Sequence, residues 1–174
     1  DRFIADDRKR TYQPEFIRIG CVIGEVQKHF AMMGFSDRVE TVVEQEIMLL
    51  ADAEMMVTAL INLVDNGLKY SPAHCRVRMA VREERAFLVI EVSDRGMGIP
   101  ENQQAKVGRR FFRASNAQAI AGTGLGIYSA RRLLAYHSAT VDFEPHGESG
   151  TTAVVRIPLP AARGCQPFYE SVTA

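Results

Sequence analysis

Apolar positions recur along this chain with two periods, and the switches between them mark its elements. Residues 15–19 (EFIRI) alternate and predict a short strand. From residue 20 to 33 the apolar positions Val22, Ile23, Val26 and Phe30 follow helical spacing, and Gly34 supplies a stop. Two short apolar stretches, 39–43 and 47–50, predict a strand pair. Asp52 stands where a helix N-cap belongs, Glu54 favours the first turn, and this second helix runs to about Tyr70 before Ser71-Pro72 ends it. RVRMAVR (76–82) and AFLVIEVSD (86–94), separated by Glu83-Glu84-Arg85, predict a hairpin. Residues 96–124 are rich in Gly, Gln, Asn, Arg and Ala and predict one long loop with one short helix. An amphipathic helix over 125–137 and two closing strands, ATVDFE and TTAVVRIPLP, complete the series. The sum is α+β, mostly antiparallel strands with about three helices stacked on one face. Residues 1–14 read as a linker or the remnant of a preceding element, 15–160 as the domain, and 161–174 as a tail without periodicity, expected to be disordered.

The central helix carries a polar stripe that helix stability does not explain. At about 100° per residue, Met56, Val57, Leu60, Val64 and Leu68 share one arc, while Thr58, Asn62, Asp65, Asn66 and Lys69 share the opposite one, with Tyr70 at the border. Asn and Asp are poor helix formers because their short side chains compete for backbone hydrogen bonds. Amide oxygens, a carboxylate and an ammonium within two turns suit a magnesium-bound polyphosphate. Taken alone, the stripe fits a merely polar helix face equally well.

Two glycine-rich stretches follow. In DRGMGIP (94–100), Asp94 at a strand end can accept a hydrogen bond from an exocyclic amine, and Gly96 and Gly98 leave room for a flat ring. By itself the pattern is also an ordinary turn. GTGLGI (122–127) opens the last helix, where backbone N–H groups approach phosphate oxygens. It is neither a Walker loop nor a dinucleotide fingerprint.

Composition narrows the alternatives. A chain of 174 residues with no internal repeat suits one domain. Its formal net charge of zero gives no broad basic field for nucleic acid or an acidic membrane, so phosphate recognition would be local. Cys21, Cys75 and Cys165 are widely spaced, which favours a reducing, cytoplasmic setting over a disulfide scaffold or zinc site. No apolar run reaches membrane-spanning length, so this fragment is expected to make no direct membrane contact, although a parent protein could be anchored elsewhere.

In their order and spacing, NLVDNGLKYSP (62–72), DRGMGIP, RRFFRAS (109–115), GTGLGI and GESGTTAVVRIPLP (147–160) resemble the N box, first glycine box, F box, second glycine box and final strand of the ATP-binding catalytic domain of sensor histidine kinases. That domain belongs to the ATPase superfamily shared with DNA gyrase, MutL and heat-shock chaperones. The resemblance covers roughly residues 15–160 and implies a two-layer α/β sandwich with a mixed, largely antiparallel sheet. It implies ATP and Mg2+ as cofactors, with Asn66 ligating the magnesium held by the nucleotide phosphates and Asn62 in support. Lys69 would contact phosphate, Tyr70 would lie against the adenine, and Asp94 would take its amino group beside the turn of Gly96 and Gly98. Gly122, Gly124 and Gly126 would hinge a lid and bring backbone donors to the phosphates. Asp65 occupies the acidic position beside the magnesium asparagine, and Arg113 is a candidate phosphate contact from the lid. The same matches put Ile99, Thr123, Leu125 and Thr151 among the nucleotide contacts.

The implied activity is γ-phosphoryl transfer from Mg-ATP to a histidine on a separate dimerisation hairpin, with a response regulator downstream. None of His29, His74, His137 and His146 fits the acceptor; each is expected to be structural or solvent-exposed. Gly108 stands where the F box usually begins with an aromatic, His137-Ser138-Ala139 replaces a histidine and paired glycines, and Ser149 replaces a glycine of the closing motif. Gly67, where alanine is common, should loosen the helix by roughly 1 kcal/mol at most. The alternatives are a nucleotide-binding regulatory module whose lid docks a partner without turnover, and an ATP-hydrolysing machine domain.

Overall fold

The computed structural model of the chain describes residues 11–159; the predicted tail and most of the predicted linker lie outside the described residues. Strand β1 (Glu15–Arg18) runs directly into helix α1 (Ile19–Met32), followed by β2 (Val39–Val43), β3 (Met48–Ala51), helix α2 (Ala53–Tyr70), β4 (Val77–Glu84) and β5 (Phe87–Ser93). After a long segment come helix α3 (Gly126–Ala135), β6 (Thr140–His146) and β7 (Gly150–Pro158). A five-stranded sheet has the order β2-β4-β5-β7-β6, and β1 and β3 form a separate two-stranded ribbon. Only the β2–β4 pair in the larger sheet is parallel.

The two strands expected to pair with each other do not. β2 lies parallel to β4, with Val39 opposite Val77, whereas β3 pairs antiparallel with β1. The connecting Glu44-Gln45-Glu46 offers none of the Asn-Gly or Gly-rich chemistry of a tight hairpin. Instead Glu44 N–H donates to Val81 O at 3.1 Å and Ile47 O accepts from Ile19 N–H at 2.9 Å, so the chain crosses from one sheet to the other. The β4–β5 hairpin forms as expected, but its strands continue through Glu83 and Glu84 and turn at Arg85-Ala86, with Arg85 at φ 56°.

Register builds the core. Val81, Ile90, Val155 and Val141 are aligned across four strands, and Met79, Val92 and Ala153 across three. These side chains join one buried cluster with the apolar sides of α1, α2 and α3. Asp52 caps α2 as predicted, its Oδ1 accepting from Met55 N–H at 3.0 Å. The buried arc of α2 is wider than the sequence suggested: Met55, Ala59, Leu63 and Gly67 are buried beside Met56, Leu60, Val64 and Leu68, while Val57 is half-buried. Contacts with both α1 and α3 cover the flanks that a sheet alone would leave open.

Helix α3 ends at Ala135, short of the predicted His137. His137 is buried in the following turn, where its Nε2 accepts from Asp52 N–H and its Nδ1 faces Leu133 O, both at 3.0 Å. Asp52 Oδ2 also accepts from Gln13 N–H at 3.0 Å, so the lead-in to β1, the start of α2 and the end of α3 meet at one point. His146 is the last residue of β6, opposite Gly150, and is exposed. β6 is an edge strand and carries Pro145, opposite Thr151. The segment after β5 holds two short 3-10 helices, residues 101–106 and 115–117, where one was expected.

Candidate functional site

The polar stripe of α2 faces a cleft of about 480 Å³, closed on the other side by the turn after β5, the segment 107–124 and the start of β7. Asn62, Asp65, Asn66, Lys69 and Tyr70 line it from α2, Asp94, Gly98 and Ile99 from the turn, and Thr151 from β7. Arg113, Gly122, Thr123, Gly124 and Gly126 complete the expected set. Gly96 and Leu125 do not line the cleft. A Cβ on Gly96 would lie 2.6 Å from Tyr70 O and 2.9 Å from Asp94 Oδ1, so this glycine lets the turn settle on the end of α2. Leu125 caps α3, its carbonyl accepting from Ser129 N–H at 2.8 Å.

Asn66 donates its Nδ2–H to Asn62 O, one helical turn back, at 2.6 Å. That bond uses one of the two N–H donors of the amide and fixes its orientation, and Oδ1 is the atom able to ligate a cation. A Cβ on Gly126 would stand 3.1 Å from that Nδ2, and one on Gly122 would collide with Lys69 Nζ, so glycine backbone abuts both polar side chains. The Lys69 ammonium lies 5.3 Å from the centre of the Tyr70 ring. Asp65 is exposed at the rim. Among the described residues no three His, Cys, Asp or Glu side chains are grouped to hold a metal ion. One amide oxygen on α2 fits a hard cation whose remaining ligands are phosphate oxygens and water.

Asp94 sits where the β5 ladder ends. Its N–H donates to Thr151 O at 2.8 Å, and its Oδ1 accepts from Gly96 N–H at 2.8 Å and Thr151 N–H at 3.2 Å. Burial pushes its carboxyl above the usual carboxylate range, against the pull of those two donors. Both donors converge on Oδ1, so Oδ2 is the oxygen left to accept from a ligand N–H. Gly98, at φ +68°, abuts Ser149 O, and a side chain on Gly150 would strike Asp94 O. The closing hairpin thus docks on the turn through two glycines.

Arg113 lies in the cleft wall but is engaged with its own segment. Its Nη2 donates to Ala117 O at 2.5 Å and to Ile120 O, so a phosphate would compete with backbone carbonyls for it. Asn116 Nδ2 ties the second 3-10 helix back to Gly98 O at 3.0 Å. The sequence reading missed most of the apolar part of the wall: Val92, Met97, Val107, Ile127, Phe143 and Ala153. Val92 and Ala153 sit in ordinary strand alternation, which marks them as core and gives no sign that their strand ends at a cleft.

Known proteins resemble this chain in sequence and in fold. The family described as histidine kinase-, DNA gyrase B- and HSP90-like ATPase matches residues 51–161, more than half of the chain. The sensor-like histidine kinase SenX3 of Mycobacterium tuberculosis is 35% identical over 146 residues, covering 82% of this chain and 36% of SenX3. The sensor histidine kinase WalK of Bacillus subtilis is 31% identical over 159 residues, covering 88% of this chain and 26% of WalK. The chain therefore spans about a third or less of these curated relatives. Among solved structures, the mycobacterial sensor histidine kinase MprB superposes with a TM-score of 0.73 at 23% identity, covering 83% of this chain and 97% of that one. Full-length ShkA in complex with AMPPNP gives 0.71 at 18% identity, covering 86% of this chain and 32% of that one. These two likenesses concern the fold, while the matched residues 51–161 contain α2, Asp94, the glycine-rich helix start and the closing strand. On that match the chain belongs to the histidine kinase-, DNA gyrase B- and HSP90-like ATPases.

Proposed function

We propose that this chain is the Mg-ATP-binding catalytic domain of a two-component sensor histidine kinase, donating the γ-phosphoryl group to a histidine on a dimerisation hairpin outside residues 1–174. The observation that carries the reading is one cleft shared by a half-buried acceptor, Asp94, and the Asn66–Lys69 pair, with glycine backbone against each. Asp94 Oδ2 accepts from the adenine amino group, and the apolar wall of Met97, Val107 and Ala153 covers the ring. Asn66 Oδ1 holds magnesium together with the phosphates, and the metal supplies charge neutralisation there. Lys69 and the backbone donors around Gly122 and Gly124 orient the phosphate chain, so the domain contributes positioning and electrostatics rather than covalent chemistry. Sensor histidine kinases among the relatives, and AMPPNP bound to ShkA, support the assignment of substrate and partner class.

Calorimetric titration with ADP and a non-hydrolysable ATP analogue, with and without magnesium, tests it. Binding that needs magnesium and weakens about tenfold or more in Asn66→Ala is expected, since about 1.4 kcal/mol of lost ligation is a factor of ten. Absence of binding by the wild-type domain would overturn the reading. A nucleotide-dependent regulatory module is favoured by one feature, the commitment of Arg113 to carbonyls of its own segment. Phosphotransfer to a supplied histidine hairpin would dismiss it.

A further inference from the structure

Gly108 departs from the F-box pattern, and the structure shows what packs against it. Its φ is +83°, a conformation that a bulky side chain rarely adopts. A Cβ built on it would lie 2.5 Å from Arg131 Cδ and 2.6 Å from Arg131 Nε. The side chain of Arg131, projecting from α3, therefore fills the space directly over the Gly108 backbone.

Arg131 is fixed at its far end by β6. Its Nη2 donates to Val141 O at 3.0 Å, and its guanidinium carbon lies 5.6 Å from the centre of the Phe143 ring, within cation–π range. Its Nε is buried and has no hydrogen-bond partner among the described residues, so the guanidinium gives up one hydrogen bond to hold this position. Gly108 and Phe143 both line the cleft, and the neighbouring Val107 is buried in its wall. One side chain thus joins α3, the edge strand and the segment that covers the cleft.

We propose that Arg131 is a positioning residue for nucleotide retention: its side chain is the seat on which residues 101–125 rest at Gly108. The seat exists only because residue 108 has no side chain, so the two positions are energetically coupled. The proposal rests on the nucleotide-binding reading for its affinity readout; protection of the segment in the free protein stands apart from it.

Amide hydrogen exchange of the 174-residue chain without nucleotide, read separately for residues 101–125 and for strands β4, β5 and β7, is the test. Arg131→Ala is expected to speed exchange of 101–125 by about tenfold while the strands keep their protection. Arg131→Lys, which keeps a stem and a donor for Val141 O, is expected to restore most of that protection. ADP affinity is expected to fall about threefold to tenfold in Arg131→Ala and to recover in Arg131→Lys. Gly108→Ala is expected to loosen the same segment, and less so when Arg131 is already alanine, which isolates the contact from the cost of the positive φ. Exchange of 101–125 in Arg131→Ala within twofold of wild type, or strictly additive effects of the two alanine substitutions, would overturn the proposal. If Arg131→Ala also exposes the strands, Arg131→Met, which keeps the volume and loses the donor, decides: faster exchange confined to 101–125 sustains the seat, and wild-type exchange there removes it. Failure of the wild type to bind ADP would overturn the functional reading and leave the exchange result to judge the seat.

Discussion

Helix α2 and the segment between β5 and α3 face each other across the cleft, and they are held by different forces. The stripe of Asn62, Asn66 and Lys69 stands on Met56, Leu60 and Val64, each fully buried between sheet and helices. Opposite it, residues 101–125 bury only Val107 and Ala117. They are held mainly by polar contacts, Gln103 with Ser115, Asn116 with Gly98 O and Arg113 with its own carbonyls. Apolar burial sets the geometry of the first wall whether or not a ligand is present. Hydrogen bonds that water can replace set the second, which places it at the low-stability end of the domain.

Substitution should separate the two walls. Leu60→Ala, beneath the stripe, should cost about 2–5 kcal/mol of global stability in a denaturant titration. A cost below about 1 kcal/mol would mean that the first wall does not draw its rigidity from the core. Asp94→Asn should weaken adenine-nucleotide binding by about tenfold or more, because the amide either loses its acceptor or presents a donor to the adenine amine. Its fold stability should hold or rise. An asparagine Oδ1 still accepts from Gly96 and Thr151, and the half-buried carboxylate has a raised folded pKa, so its ionisation opposes folding at neutral pH. Unfolding and titration of the same variant check both halves.

Acid should act on the α2 side through His137. Desolvation lowers its folded pKa below the ordinary 6.5, against weaker opposing pulls from Leu133 O and Asp52. The unfolded chain then takes up the proton first. The contribution of His137 is full above pH 6.5 and is lost progressively as pH falls through and below that value. Loss of that part of the pH dependence in His137→Gln, measured by denaturant unfolding between about pH 5 and 8, is the expected signature. The smallest effect should come from Gly67→Ala. The gain in helix propensity is about 1 kcal/mol, while the new Cβ would meet Val77 Cγ2 at 3.0 Å and Asp94 Cβ at 3.3 Å. A net change within about 1 kcal/mol is expected from thermal unfolding, with any effect on nucleotide affinity arising through Asp94.

The difference between the walls also decides what the sequence could convey. Helix α2 was legible because its information is local: a carboxylate cap at Asp52, a 3.6-residue apolar period and a proline two residues past its end. Strand β3 was legible as a strand but not in its pairing, since pairing with β1 depends on a crossover that leaves no periodic trace. Asp94, Asn66 and Lys69 stood out as a polar stripe and a strand-end carboxylate, and their proposed roles came from spacing shared with a family. The apolar wall was not, because Val92 and Ala153 serve the core and the cleft with the same side chains. Arg113 shows a further limit, since residue type alone does not say whether a guanidinium meets a ligand or its own backbone.

Edge strand β6 has a consequence for domains held close to one another. A free edge is a template for a strand from another molecule, but Pro145 offers no N–H to such a visitor, and exposed Asp142 and Glu144 put charge beside it. The two carboxylates also pair with Arg156 on β7, at 3.2 Å and 3.7 Å, in exposed contacts that favour their position along this edge. Copies of this domain can therefore stand side by side at high local concentration without that edge becoming a seam for aggregation.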